Sequence, residues 1–155
     1  MNMRFGLKLT AVALLAATTL TATAQDAAEG AVKARQAHMQ LYAFNLGALG
    51  AMAKGAVEYD AEAATRAATN LATLAALDTR DFWLPGSAAG EVEGSRALPA
   101  MWSADSNAMV HAGNLRDATA ALAASAGTDL ASLQAGMGPV GGACSACHKA
   151  YRQAD

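Results

Sequence analysis

The last quarter of the chain repeats apolar residues at alternating intervals of three and four: Leu130, Leu133, Met137, Val140, Cys144, Cys147 and Tyr151. That spacing places every member on one stripe of an α-helix and on neither face of a strand. A second seam runs through Val32, Arg35, Met39, Tyr42, Leu46, Leu49 and Ala53, a third through Ala67, Leu71, Leu74 and Leu77, and a fourth through Ala108, Ala112, Leu115, Thr119 and Leu122. Composition points the same way, since the 155 residues include 43 alanines, no isoleucine and only 6 valines. Sheets draw on β-branched and aromatic side chains, whereas alanine and leucine are among the best helix formers. The seams predict helices over about 27–54, 61–77, 104–126 and 129–153, with Ser103 or Asp105 capping the third and Thr128 the fourth. Four helices with short connections, except for one irregular segment over 78–102, predict an all-α fold: an antiparallel, up-down-up-down four-helix bundle. Alanine fills little volume, so such a core is short of bulk unless something large occupies it.

Residues 1–24 carry the three parts of an export signal: Arg4 and Lys8, an apolar run over 9–17, and Ala22-Thr23-Ala24 as a cleavage site. The apolar run is too short to span a bilayer, so no membrane anchor is expected after processing. The mature domain is expected over 25–155. Removing Arg4 and Lys8 leaves nine basic against thirteen acidic residues, a net charge of −4. That balance argues against nucleic-acid binding, which needs a concentrated basic surface. Export also permits disulfides, yet Cys144 and Cys147 lie three residues apart and would close almost no loop, so a stabilising staple is a poor use for them.

The segment Cys144-Ser145-Ala146-Cys147-His148 is C-x-x-C-H, the attachment pattern for c-type haem. Two thiols add across the two vinyl groups of a haem, and the histidine beside the second can turn a ring nitrogen onto the iron. On a helix Cys144 and His148 are one turn apart with Cys147 adjacent, so all three reach one planar group. A thioredoxin-like dithiol needs a βαβ setting that this chain lacks, and tetrahedral zinc needs two further ligands where only His38 and His111 remain as histidines. Gly136, Gly138, Pro139, Gly141 and Gly142 precede the motif and weaken the helix there, leaving bare backbone beside the place where a large group attaches.

With Cys-Ser-Ala-Cys-His-Lys-Ala-Tyr-Arg on its last helix, the chain resembles the cytochrome c′ family. Lys33-Ala34-Arg35-Gln36 is similar to that family's first-helix basic-x-Arg-Gln pattern, and Ala100-Met101-Trp102-Ser103 to its tryptophan before the third helix. The resemblance covers essentially all of 26–153. It implies one haem c per chain held by Cys144 and Cys147, His148 as proximal iron ligand, Arg35 near a haem propionate, and Arg152 beside the proximal face. Met39 aligns with the distal residue. In cytochrome c′ proper that residue does not ligate, and the open iron binds small gases such as nitric oxide or carbon monoxide; in low-spin relatives a methionine on this helix binds the iron and the protein is an electron carrier. His38 and His111 are expected to take no part, with His38 at the surface. An enzymatic role is not expected, because the stripe around Met39 offers only Tyr42 as an acid–base group. A second apolar stripe on the first helix, Ala37, Leu41, Phe44, Ala48 and Met52, lies nearly opposite the seam and predicts a homodimer. Export and the resemblance together predict a periplasmic protein with an unidentified redox partner.

Overall fold

The computed structural model describes the backbone of residues 7–154 and the side chains of residues 24–154. The expected export signal, 1–24, falls almost wholly outside the described side chains. Four helices carry the fold: α1 Leu7–Ala53, α2 Ala61–Ala76, α3 Ala108–Ser125 and α4 Leu130–Tyr151. Among the described residues there is no sheet, only an isolated antiparallel pair between Ala97 and Arg152. No helix among them is long and apolar enough to cross a membrane.

Each helix boundary has a chemical cause. Helix α1 ends where Gly55 takes a φ of 70°, and the Ala56 N–H reaches the Ala51 carbonyl at 2.9 Å while Gly55 reaches that of Met52 at 3.0 Å. That pair of bonds satisfies carbonyls which a helix end otherwise leaves open. Asp60 caps α2, its carboxylate accepting from the Ala63 N–H at 2.9 Å. Asp129, rather than the expected Thr128, caps α4 by accepting from Ser132 N–H at 2.7 Å. Its carboxylate sits in the extended residue just before the first turn and carries a charge that suits a helix N-terminus. Helix α3 begins at Ala108, four residues later than the spacing predicts, because Pro99–Trp102 forms a 3-10 turn of its own. The Asn107 N–H at its start is taken by the Tyr151 hydroxyl at 2.7 Å, so a side chain of α4 stands in for a local cap.

Helices adjacent in sequence are adjacent in space, and α1 closes the ring on α4. Leu49, Leu71, Leu122, Leu133 and Val140 are fully buried and come from all four helices. Around them the core is small: Ala64, Ala67, Ala68 and Ala126 are also buried. The α3–α4 side is the tightest, with Gly136 so close to Leu122 that an added Cβ would stand 2.6 Å from its Cδ1. The α1–α4 side is the least extensive of the four.

The irregular segment between α2 and α3 is pinned to both neighbours. Trp102 donates its indole N–H to the Trp83 carbonyl at 2.8 Å. Leu98 N–H reaches the Tyr151 carbonyl and Gln153 N–H the Arg96 carbonyl, both at 2.8 Å. The segment is thus fastened to α4 one turn beyond His148.

Candidate haem site

Helix α4 brings Cys144, Cys147 and His148 together by local spacing alone, and it runs unbroken through Pro139 to Tyr151. Cys144 is half-buried and packs against the cluster that contains Tyr42, Leu49 and Val140. Cys147 is also half-buried, and no disulfide joins the pair. Burial pushes both thiols up, Cys147 further because of the neighbouring Cys144 charge. His148 is pulled below the usual imidazole range, first by burial and then by the positive charge of Arg152. Both effects favour the neutral ring, whose free nitrogen lone pair is what a metal takes. The Arg152 backbone N–H closes the helix on the His148 carbonyl at 2.9 Å.

Across from α4, α1 presents the first seam. Val32, Arg35, Tyr42 and Leu49 are buried and Leu46 half-buried, while Met39 keeps 39 % of its surface exposed. Tyr42, one turn beyond Met39, lies near enough to Cys144 for a thiolate there to raise its hydroxyl further, and burial pushes that hydroxyl up to about 12. Cys144 of α4 and Tyr42 of the α1 seam therefore meet in one cluster.

One residue sits otherwise than the sequence predicts. His38 is buried at 7 % exposure instead of at the surface. Its Nε2–H donates to the Leu74 carbonyl at 3.0 Å, and its ring stacks on Tyr42 at 4.8 Å and meets Phe82 edge-on at 5.8 Å. Arg35, His38 and Tyr42 follow at intervals of three and four, so the periodicity itself contained this signal. Arg35 is enclosed in the irregular segment. Its Nη1 donates to the Phe82 carbonyl at 3.2 Å and the Ser87 hydroxyl at 2.7 Å, and its Nη2 to the Ser95 hydroxyl at 2.7 Å and the Ser87 carbonyl. Trp83 and Trp102 stack at 5.2 and 5.9 Å from the guanidinium carbon. Burial lowers the Arg35 pKa, and none of its four bonds goes to a carboxylate. Ser87 and Ser95 carry no motif, and nothing in the sequence marks them. On α3, His111 is half-buried, with its Nδ1 enclosed and unpartnered and its ring 5.8 Å from Tyr151.

The residues present fit a haem. Two thiols and an imidazole stand at the required spacing, and a Cβ added at Gly138, Gly141 or Gly142 would meet nothing within 4 Å, so the backbone beside the thiols is bare and the His148 side chain is open to a large group. Among the described residues no three His, Cys, Asp or Glu side chains gather at one point, which leaves the zinc alternative without a cage.

The family model for Cytochrome C′ matches residues 30–152. The chain belongs to the cytochrome c′ family. A cytochrome c-554 of Cereibacter sphaeroides is 45 % identical over 138 residues, covering 88 % of this chain and 90 % of the relative. A cytochrome c′ of the same organism is 40 % identical over 139 residues, covering 90 % and 93 %. Among solved structures, a cytochrome c′ from Rhodobacter sphaeroides superposes with a TM-score of 0.79 at 38 % identity, covering 83 % of this chain and 98 % of that one. A nitric oxide complex of a mutant cytochrome c prime from Alcaligenes xylosoxidans superposes with a TM-score of 0.71 at 35 % identity, covering 83 % and 97 %. This member of the cytochrome c′ family is therefore a c-type haem protein with covalently bound haem c.

Proposed function

We propose that the chain is an exported, periplasmic cytochrome c′ that binds small gases, nitric oxide or carbon monoxide, at one haem per chain and cycles between ferric and ferrous iron. Cys144 and Cys147 would hold the haem by thioether bonds, His148 would be its proximal iron ligand with Arg152 beside it, and Met39 would lie toward the distal side without ligating. The haem would supply a one-electron couple and a site for a small gas. The chain's own part is to tether that group to α4 through the two thiols and to offer it the His148 imidazole, whose neutral form burial and the Arg152 charge favour.

The observation that carries this reading is the packing of Cys144, from the C-x-x-C-H motif on α4, in one cluster with Tyr42 of the α1 seam. The presence of Met39 on that same seam favours a second reading, a six-coordinate electron carrier with Met39 on the iron and a potential raised by the thioether. A visible spectrum of the reduced protein before and after carbon monoxide separates the two. A changed spectrum supports the open site; no change sinks it, and Met39→Ala then converts low-spin to high-spin iron.

The outer face of α1 supports a homodimer. Phe44 is 76 % and Leu41 51 % exposed, and Ala37 and Ala48 beside them are exposed too, whereas Met52 of the same stripe is buried within the chain. A self-complementary apolar helix face suits a two-fold contact.

A further inference from the structure

The expected cleavage after Ala24 leaves Gln25 as the first residue of the processed chain, and the packing of α1 begins at the same place. Ala24, Gln25, Asp26 and Ala27 are exposed, whereas Ala28, Ala31 and Val32 are buried. Ala28 and Val32 form a small cluster with Val92 of the irregular segment. The bundle thus takes its first hold on α1 three residues beyond Gln25, and no packing constrains the Gln25 side chain.

The residues just after the cleavage point also read as a helix start. Asp26 is a preferred N-cap residue, and Glu29 three positions later is the acidic partner of a capping box, in which each side chain accepts from a backbone N–H of the other residue. Before cleavage both lie inside the continuous helix Leu7–Ala53 with their side chains exposed, so both are able to turn onto the first N–H groups once the leader is gone. A helix that begins there carries the positive end of its dipole, where carboxylates are favourable and a terminal ammonium is not. A free ammonium on Gln25 would also compete with those N–H groups for the Asp26 carboxylate.

We propose that Gln25 is a modification site, and that after export processing it cyclises to pyroglutamate. The freed α-amino nitrogen attacks the carboxamide carbon Cδ of the same residue. The N–Cδ bond forms, the Cδ–Nε2 bond breaks, and the Nε2 group leaves as ammonia with a proton from the attacking nitrogen. Nothing is oxidised or reduced, and the product is an uncharged five-membered lactam at the start of α1. The exposed, unpacked side chain lets the two reacting atoms meet, and the lactam leaves the Asp26 carboxylate to the helix. The proposal rests on the export part of the reading above and is independent of the state of the iron.

The test expresses the full chain with its own leader in an exporting bacterium and recovers the processed protein, beside Gln25→Asn treated in the same way. Asparagine keeps an amide at that position but would have to close a strained four-membered ring, so the variant retains a free amine. The parent mass is expected to lie about 17 Da, one ammonia, below that of a chain starting at unmodified Gln25. Stepwise N-terminal degradation of the parent is expected to give nothing until a pyroglutamyl peptidase is applied, and then to read from Asp26. Gln25→Asn is expected to show its full mass and to be read directly from position 25. A parent read directly from Gln25 at full mass overturns the proposal while leaving the cleavage in place. A parent that begins at any other residue overturns it together with the cleavage after Ala24, and the mass and the residues read tell these two failures apart.

Discussion

Tyr42 makes the burial of the distal wall measurable through pH. Its ring is 7 % exposed, and its hydroxyl is pushed from 10.0 up to about 12, first by burial and secondarily by charge at Cys144. In the haem-bound protein Cys144 is a thioether without charge, so burial is the cause that persists. In the unfolded chain the phenol ionises near its ordinary value. Between about pH 10 and pH 12 the unfolded state has therefore released a proton that the folded state keeps, and stability falls as pH rises through that window. The slope is about 1.4 kcal/mol per pH unit, so up to ~2–3 kcal/mol is lost across the window. Tyr42→Phe keeps the ring and removes the ionisation. Urea unfolding of the haem-loaded protein at pH 8 and pH 11.5, followed by far-ultraviolet circular dichroism, gives the comparison. At pH 8 the variant is expected within ~1 kcal/mol of the parent. At pH 11.5 it is expected to be the more stable of the two, by roughly 2 kcal/mol. Parallel losses in both proteins would show that the Tyr42 hydroxyl reaches water, and would refute the placement of this side chain against Cys144.

Gly136→Ala is expected to lower the unfolding free energy in urea by a net ~1 kcal/mol, because crowding against the buried Leu122 outweighs the gain in helix propensity, whereas Gly113→Ala, which meets nothing within 4 Å, is expected to raise it. Cys147→Ser is expected to leave a haem attached through a single thioether, seen as a shifted pyridine haemochrome band and the same mass added to the chain by the haem; the pair Cys144→Ser and Cys147→Ser is expected to lose covalent haem altogether. Leu41→Lys with Phe44→Lys is expected to turn a dimer into a monomer in sedimentation at micromolar concentration, with the haem spectrum unaltered; a parent that is already monomeric removes the proposed contact.

The proximal half of the site was legible in the sequence because it is local. Cys144, Cys147 and His148 need only a helix to converge, and the seam that predicts the helix contains both cysteines. The four-helix ring was legible for the same reason, with errors confined to ends: α3 starts late because Pro99 opens a separate turn, and α4 is capped by Asp129. The distal half was read less well. The seam spacing marks Arg35 as inward-facing, but the neutral cage around it depends on Ser87 and Ser95, more than fifty residues away, and on a loop whose residues obey no period. His38 was misplaced because a lone histidine next to an assigned residue reads as surface, although its interval of three from Arg35 and four from Tyr42 puts it on the buried edge of the same stripe.

Small-residue cores have a consequence for how such a site is set. Large interlocking side chains fix the rotation of one helix on another, but three of the four buried residues of α2 are Ala64, Ala67 and Ala68, small side chains that allow close approach and constrain rotation weakly. Polar bonds take over that task on this side. Asn70 donates to Asn45 Oδ1 at 3.0 Å while Asn45 donates to the Leu41 carbonyl at 2.8 Å, His38 holds the last turn of α2, and Arg35 holds the segment beyond it. The buried polar side chains of α1, namely Arg35, His38 and Asn45, thus bind toward α2 or the loop, or back onto α1 itself. At the other end of α1 the Gln134 side chain of α4 donates to the Ala53 carbonyl at 2.8 Å, so α1 is held by hydrogen bonds to the loop and α2 over its middle and to α4 at its last turn. Directional bonds lose strength over tenths of an ångström where dispersion contacts yield gradually, so the angular setting of α1 is held by a few replaceable groups.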